Sequence, residues 1–181
     1  MQPSGESLLP REFPGGRLRR LGTADLAAFQ AYRRIPELGR YQGWSSMSDA
    51  EALAFLAEMN EASLFKPGQW VQLGIAESET DRLVGDIGIH LSEDGISSEI
   101  GFTLEPGAQG HGIASTAVRE AVHVLFASTP VRQVLGITDS RNSASVRLLE
   151  RVGFMHQETR EVIFRGEPCS EKVYALPRDA G

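Results

Sequence analysis

The apolar positions in the first part of the chain recur at helical spacing. A short predicted strand at Arg17 to Leu21 is followed by Thr23, a predicted N-cap, and by an apolar stripe that ends near Tyr32. Ser48, with Glu51 three residues later, is a capping box that starts a second predicted helix. We therefore predict one strand and two helices in this part of the chain.

From Trp70 onward the apolar residues form runs that are typical of strands. Runs at 70–76, 83–91 and 96–104, joined by short polar turns, predict an antiparallel meander. A glycine-rich segment then leads into an amphipathic helix, which is followed by a strand at 131–138. This part of the chain is therefore a strand, a loop, a helix and a further strand.

A last helix and two strands complete the predicted order. Asn142 or Ser143 can cap the helix, and Gly153 is placed to end it. The strands at 154–164 and 169–176 flank a turn. We predict an α/β (α+β) fold with a mixed, mostly antiparallel central sheet of about seven strands flanked by about four helices.

Length and composition indicate one domain. The 181 residues are enough to bury a hydrophobic core, and we predict an N-terminal lead-in at 1–16 before a single domain at 17–177. The net charge of −6 disfavours nonspecific binding to nucleic acid. No apolar run approaches the ~20 residues that span a bilayer, so no membrane association is expected. The single cysteine, Cys169, favours the cytoplasm.

The candidate chemistry begins at a glycine-rich loop between a predicted strand and a predicted helix. The loop reads Gln109-Gly110-His111-Gly112-Ile113-Ala114. Unpaired N–H groups and the helix dipole attract an anion to such a helix start. The two glycines allow close approach of the backbone, so we expect a diphosphate at this loop.

These residues fit neither of two common phosphate-binding loops well. A Walker loop requires Gly-Lys-Ser/Thr after its second glycine, which this chain does not have there. A dinucleotide fingerprint is closer, because Asp139 ends the next strand and could bind a ribose. Ser115 nevertheless stands where that fingerprint has its third glycine. An NAD-binding oxidoreductase is kept as an alternative.

Residues on both sides of the next strand carry a resemblance to a known family. Gln109-x-x-Gly112-x-Ala114 resembles the acyl-CoA signature of the GNAT superfamily of N-acetyltransferases. The helix start Asn142-x-x-Ser145 and the ending Glu150-Arg-Val-Gly-Phe154 are similar to the RimJ/RimL-like branch. The resemblance covers most of the chain and implies a GNAT fold that uses acetyl-CoA as acetyl donor.

The resemblance implies which residues bind coenzyme A. In this family the strand before the loop diverges from its neighbour, and its main chain pairs with the pantetheine arm. The main-chain residues implied here are Ile100, Gly101, Phe102, Thr103 and Leu104. The implied pyrophosphate site comprises Gln109, Gly110, His111, Gly112, Ile113, Ala114 and Ser115, and Asn142 is implied to contact the arm. A purely capping role for Asn142 is equally consistent with the sequence.

The resemblance also implies transfer by direct attack of a primary amine on the thioester. A base must first deprotonate the amine, and Glu99, at the start of the diverging strand, is the candidate. Ser145 occupies the position of the family serine that protonates the leaving thiolate. The tyrosine that many members use as this acid has no counterpart here, which leaves a noncatalytic acyl-CoA sensor as an alternative.

The amine acceptor is less constrained. Tyr41 and Trp44, in the loop between the first helices, and His90, on the second strand of the meander, are candidate acceptor contacts. Relatives acetylate the N-termini of ribosomal proteins, aminoglycoside antibiotics or metabolites, and they are often dimers, so a homodimer is also an expectation. No His, Cys, Asp and Glu set has metal-ligand spacing.

Overall fold

The computed structural model describes residues 7–179 of the chain. The strands are β1 (Arg11–Phe13), β2 (Gly16–Arg20), β3 (Trp70–Glu77), β4 (Leu83–Leu91), β5 (Ser97–Leu104), β6 (Gln133–Asp139), β7 (Met155–Phe164) and β8 (Glu167–Pro177). The helices are α1 (Leu26–Arg33), α2 (Pro36–Gly39), α3 (Asp49–Glu61), α4 (Ile113–Ser128) and α5 (Ser143–Val152). Short 3₁₀ turns precede α1 and α4.

One mixed sheet organises the molecule. Its strand order is β1-β2-β3-β4-β5-β6-β8-β7. Within the described residues, β5 and β6 form the one parallel pair, and the other neighbouring strands are antiparallel. This confirms the predicted mixed, mostly antiparallel sheet. It also rules out the dinucleotide-binding alternative, because that fold needs a mostly parallel sheet.

Helices cover both faces of this sheet. α1 lies on the face that carries Asp86 of β4, because the side chains of Tyr32 and Arg33 bind that carboxylate. α5 lies on the opposite face, where Leu149 packs directly on Gly136 of β6, and α4 packs beside it. Apolar residues of both layers join one core, so the helices are fixed relative to the sheet.

The fold begins earlier than the predicted start near Arg17. β1 lies inside the predicted lead-in and pairs with β2 through Phe13 opposite Gly16. Thr23 does not cap the first helix as predicted. A 3₁₀ turn starts at Thr23, and the Asp25 carboxylate accepts a hydrogen bond from the N–H of Gly22 at 2.9 Å. β1 and α2 are the elements that the sequence pattern did not predict.

The sequence-based predictions about the ends of α3 and α5 are confirmed. Ser48 and Glu51 form both hydrogen bonds of a capping box at the start of α3. Asn142 caps α5, and Gly153 ends that helix with a φ of 110°. Within residues 7–179, no helix has the length and apolar content needed to cross a membrane.

Candidate active site

The strands β5 and β6 pair along only part of their length. Their parallel register ends where Ile100 lies opposite Gly136. Beyond that point β5 stays paired with β4 as far as Leu104, and β6 stays paired with β8 as far as Asp139. The two strands therefore diverge, and an opening lies between them.

Two residues of β5 present backbone groups to this opening. The N–H of Glu105 donates to the carbonyl of Val84 at 2.8 Å. Because antiparallel strands bond through alternate residues, Phe102 and Leu104 direct their N–H and C=O groups away from β4. They face the opening where β6 no longer pairs. An extended ligand with amide groups could pair with them as an added strand would.

The other predicted arm-binding residues of β5 are placed differently. Ile100 still pairs with β6, so its main chain is occupied. Gly101 and Thr103 belong to the alternate set, which bonds to β4. Gly101 still contributes space, since nothing lies within 4 Å of where its Cβ would stand.

The predicted anion loop follows β5 and leads into α4. Gly110 and Gly112 have φ angles of +83° and +76°, a left-handed conformation that glycine adopts readily. Nothing lies within 4 Å of where either Cβ would stand. Within residues 7–179, no backbone N–H from Gly110 to Ser115 donates a hydrogen bond. These groups and the positive end of the α4 dipole form an anion site.

Side chains hold the loop in this shape. The carbonyl of Gly112 accepts hydrogen bonds from the hydroxyls of Ser115 and Thr116, at 3.1 and 2.9 Å, and from the N–H of Thr116 at 3.1 Å. The Gln109 amide donates to the carbonyl of Leu104 at 2.9 Å. The side chains of Ser115 and Gln109 therefore shape the site, whereas the exposed ring of His111 has no such role.

A cavity of about 500 Å³ joins the loop to the strand opening. Phe102, Leu104 and the glycine-rich loop line it, and α5 forms one wall. That wall carries Arg147 and Arg151, two exposed residues that the sequence analysis missed. Their spacing of four residues, on the helix that Asn142 starts, is the signal that would have identified them. Two guanidinium groups beside an anion loop can bind further phosphate.

Asn142 and Ser145 lie at the start of α5, next to the opening. The Asn142 Oδ1 accepts a hydrogen bond from the N–H of Ser145 at 3.2 Å. Both residues also line a smaller cavity between β5 and β6, together with Gly136. Asn142 is therefore a helix cap and a wall of the cavity at once.

Glu99 and His90 lie on the other face of the sheet from α5. They are cross-strand neighbours, and Glu99 comes one residue before the end of the β5–β6 pairing. Burial raises the pKa of Glu99 above its ordinary value; His90 opposes the rise, and Glu171 adds to it. The His90 ring contacts that of Trp70, with ring centroids 5.2 Å apart. Glu99 is thus half-buried beside the point where the strands diverge.

The structure separates the two aromatic acceptor candidates. Tyr41 lines both cavities, and the guanidinium of Arg141 lies 5.3 Å from its ring centroid. The ring of Trp44 instead lies 4.3 Å from the guanidinium of Arg33, and its indole N–H donates to the hydroxyl of Thr103 at 3.3 Å. Tyr41 is therefore placed to meet a ligand, and Trp44 anchors its loop.

Asp139, the ribose-binding acid of the dinucleotide alternative, is already occupied. Arg141 donates to both of its carboxylate oxygens, at 2.9 and 2.8 Å, and the Arg141 N–H donates as well. These hydrogen bonds hold the pKa of Asp139 below its ordinary value. The carboxylate therefore shapes the turn before α5, and the NAD-binding alternative is wrong on this point also.

A strand that diverges from its neighbour and leads into a glycine-rich loop with free N–H groups can accommodate a long, phosphorylated ligand with amide groups. Sequence comparison identifies the class further. The chain belongs to the acetyltransferase (GNAT) domain family, whose sequence model matches residues 17–155. It is therefore a GNAT N-acetyltransferase, in the acyltransferase class of enzymes.

Similar proteins agree with this assignment. The chain is 28% identical over 167 residues to the "uncharacterized N-acetyltransferase YoaA" of Bacillus subtilis, covering 90% of this chain and 94% of the relative. A ribosomal-protein-S5-alanine acetyltransferase from Vibrio fischeri has the same fold, with a TM-score of 0.80, 16% identity and coverage of 95% and 98% of the two chains. RimL, a ribosomal L7/L12 alpha-N-protein acetyltransferase solved with coenzyme A, gives a TM-score of 0.79 at 17% identity over 93% and 97%.

Proposed function

We propose that the protein transfers an acetyl group from acetyl-CoA to a primary amine by direct attack. One observation carries this proposal: a single cavity joins the outward-facing backbone of Phe102 and Leu104 to the N–H groups that begin at Gly110. The first part can pair with amides, and the second can bind a diphosphate. Coenzyme A carries these groups in this order, so its pantetheine arm and pyrophosphate match the cavity.

Acetyl-CoA supplies an activated thioester, and the residues of the chain position it. Gly110 and Gly112 leave room for the pyrophosphate because open space stands where each Cβ would be. Asn142 borders the path of the arm. Holding both reactants in one geometry supplies much of the rate enhancement in a direct transfer.

Glu99 is proposed as the general base. An alkylammonium has a pKa of ~10.4 and must lose a proton before it can attack a carbonyl. The raised pKa of Glu99 makes its carboxylate a better proton acceptor than an exposed glutamate. His90, its cross-strand neighbour, borders the same approach to the thioester. Glu99 takes the proton of the ammonium, and the neutral amine then attacks the thioester carbonyl. The new C–N bond forms as the C–S bond breaks, the nitrogen loses its second proton, and the departing thiolate gains one.

Ser145 is proposed as the acid that protonates the departing thiolate. It lies on the α5 side of the sheet and lines both cavities, whereas Glu99 lies on the opposite face. The acid and the base can thus act from two sides of one thioester. Tyr41 also lines both cavities and is proposed to border the acceptor.

The acceptor class is proposed from charge and from the relatives. Glu99, half-buried on the face opposite α5, can attract a cationic amine, whereas Glu171 on that face is already paired with Arg160 at 2.6 Å. Two proteins of the same fold are described as a ribosomal-protein-S5-alanine acetyltransferase and a ribosomal L7/L12 alpha-N-protein acetyltransferase. A peptide N-terminus is therefore the first acceptor to test, ahead of small amines such as aminoglycosides.

Release of free thiol from acetyl-CoA, measured with a panel of amines, tests the proposal. The panel contains ribosomal N-terminal peptides, aminoglycosides, polyamines and free amino acids. We expect one class to stimulate release and to yield an acetylated product by mass spectrometry. Binding of acetyl-CoA without release under any acceptor would instead support an acyl-CoA sensor, and no binding at all would overturn the proposal.

Ser145→Ala tests the proposed acid. We expect turnover to fall about 10²-fold, in the range of general acid catalysis, with little change in affinity for acetyl-CoA. Ser143→Ala is the matched control, because Ser143 is exposed at the first position of the same helix. Equal effects of the two substitutions would assign Ser145 a structural role.

A further inference from the structure

Two glutamine side chains occupy the carbonyl groups that β5 presents to the opening. The Gln42 Nε2 donates to the carbonyl of Phe102 at 3.1 Å, and the Gln109 Nε2 donates to that of Leu104 at 2.9 Å. Gln109 belongs to the loop that follows β5, so its bond is local. Gln42 comes from a distant part of the chain and reaches into both cavities.

Gln42 belongs to the α2–α3 loop, residues 40–48, which other contacts hold in place. The Arg165 guanidinium, from the turn between β7 and β8, donates to the carbonyls of Gln42 and Trp44 at 2.8 and 2.7 Å. The indole of Trp44 donates to the hydroxyl of Thr103 on β5. Gln42 and Trp44 thus belong to one anchored loop, and the side chain of each contacts β5.

The Gln42 amide is chemically equivalent to the group that the proposed ligand would bring. The pantetheine arm carries secondary amides, whose N–H groups need carbonyl acceptors once they leave water. Phe102 offers such a carbonyl, and the Gln42 side chain lies in the same opening. The arm and Gln42 therefore compete for one acceptor and for the space beside it.

We propose that Gln42 stands in for the cofactor in the unliganded protein: it satisfies the Phe102 carbonyl and yields that place to the pantetheine arm. This inference rests on the proposed use of coenzyme A. Displacement of the Gln42 side chain changes the space beside Tyr41, which lines the same cavities. Donor binding thereby adjusts the wall next to the acceptor, and Gln42 is a positioning residue.

Tryptophan fluorescence can follow this displacement. The chain contains two tryptophans, so Trp70→Phe leaves Trp44 as the single reporter. In this background we expect titration with coenzyme A to change the Trp44 emission and to give a Kd. If the Trp70→Phe variant, which keeps Gln42, bound coenzyme A without any change in Trp44 emission, the inference would be overturned. If this variant did not bind coenzyme A at all, the proposed function would be overturned together with the inference.

Substitution of Gln42 gives the decisive comparison. Removing the competitor with Gln42→Ala is expected to lower the Kd about two- to tenfold, the worth of one hydrogen bond. Gln42→Met, which keeps the length of the side chain without its donor, should lower the Kd in the same direction. A raised or unchanged Kd in both variants would overturn the inference, because Gln42 would then be a direct ligand or a bystander.

A second glutamine provides the control. The Gln157 Nε2 also donates to a main-chain carbonyl, that of Met155, at 3.2 Å, but at an exposed position on β7. Gln157→Ala should leave both the Kd and the Trp44 emission unchanged. If it lowered the Kd as much as Gln42→Ala, the effect would not be specific to the opening and the inference would fail.

Discussion

Leu149 of α5 packs so closely on Gly136 of β6 that an added Cβ at Gly136 would lie 2.5 Å from the Leu149 Cδ2. This contact sets the distance between α5 and the sheet. Gly136 is also the last residue of β6 that pairs with β5 before the opening. The same contact therefore positions Asn142 and Ser145, at the start of α5, over the opening.

Gly136→Ala is expected to destabilise the fold. The extra methyl group must push Leu149 or the helix away, which costs about 1–3 kcal/mol of unfolding free energy in a packed core. Urea denaturation measures this. Gly107→Ala is the control, because nothing lies within 4 Å of the added Cβ there. In the double variant Gly136→Ala with Leu149→Ala, the loss of unfolding free energy should be smaller than the sum of the two single losses. Full additivity would argue against the contact.

Gly112→Val is expected to weaken binding of coenzyme A about 100-fold or more. The valine side chain would enter the space in front of the loop, and the φ of +76° at this position is strained for valine. Gly95→Val controls for the backbone strain, since Gly95 has a φ of +72° in the turn between β4 and β5. Calorimetric titration of both variants separates the effects. Unchanged affinity in Gly112→Val would refute the loop as the pyrophosphate site.

Arg147 and Arg151 are expected to bind phosphate groups of coenzyme A. Replacing either with Ala should raise the Kd up to about fivefold, because exposed ion pairs contribute up to about 1 kcal/mol. The effect should shrink in 1 M salt, where charges are screened within ~3 Å. Arg132→Ala is the control: Arg132 is exposed just before β6 begins, away from the end where β6 diverges from β5. A salt-independent effect would point to lost packing instead.

Arg33, the last residue of α1, and Arg34, which follows it, should differ strongly in their effect on stability. Arg33 and Asp86 are 4% and 1% exposed and form an ion pair at 2.7 Å, whereas Arg34 and Asp49 form an exposed pair of the same length. Arg33→Met leaves a buried carboxylate uncompensated, at a cost of about 3–5 kcal/mol. Arg34→Met should cost less than about 1 kcal/mol. If urea denaturation gave similar losses of unfolding free energy for Arg33→Met and Arg34→Met, this account would be contradicted.

Most of the sheet was predictable because its signals are local. The strand Leu83–Leu91 was predicted with its observed bounds, since polar turns flank a segment rich in apolar residues. β1 has three residues and α2 has four, too few for a periodic pattern to show. The glycine-rich loop was predictable for the same local reason, because its glycines determine its conformation.

The rest of the site depends on contacts between distant segments. Gln42 and Phe102 are 60 positions apart, and nothing near Gln42 in the sequence marks it as a partner of β5. The resemblance implied five main-chain residues for the arm, but only the strand register shows that Phe102 and Leu104 face the opening. Likewise, sequence alone could not place Glu99 and Ser145 on opposite faces of the sheet.

Glu99→Gln should lower activity and raise stability at neutral pH. Burial raises the pKa of Glu99, so the wild-type carboxylate is deprotonated only above the usual glutamate value of ~4.3. The acidic limb of the kcat/KM profile should therefore lie above that value and disappear in Glu99→Gln.

A raised folded-state pKa of Glu99 also means that folding favours the protonated form, and the resulting stability is lost as the pH rises through that pKa. Glutamine mimics the protonated form, so the variant should be more stable than the wild type above that pH and equal to it below.

The two readouts together distinguish a base from a structural carboxylate. If Glu99 had a structural role, Glu99→Gln would lower activity and stability together. If Glu99 is a buried base that is costly to ionise, the substitution lowers activity but raises stability. Glu93→Gln is the control, because Glu93 is exposed in the turn between β4 and β5 and should change neither. If Glu99→Gln kept the wild-type pH profile, Glu99 would not be the base, and deprotonation of the amine would have to be assigned to another group near the opening, with His90 the next to test.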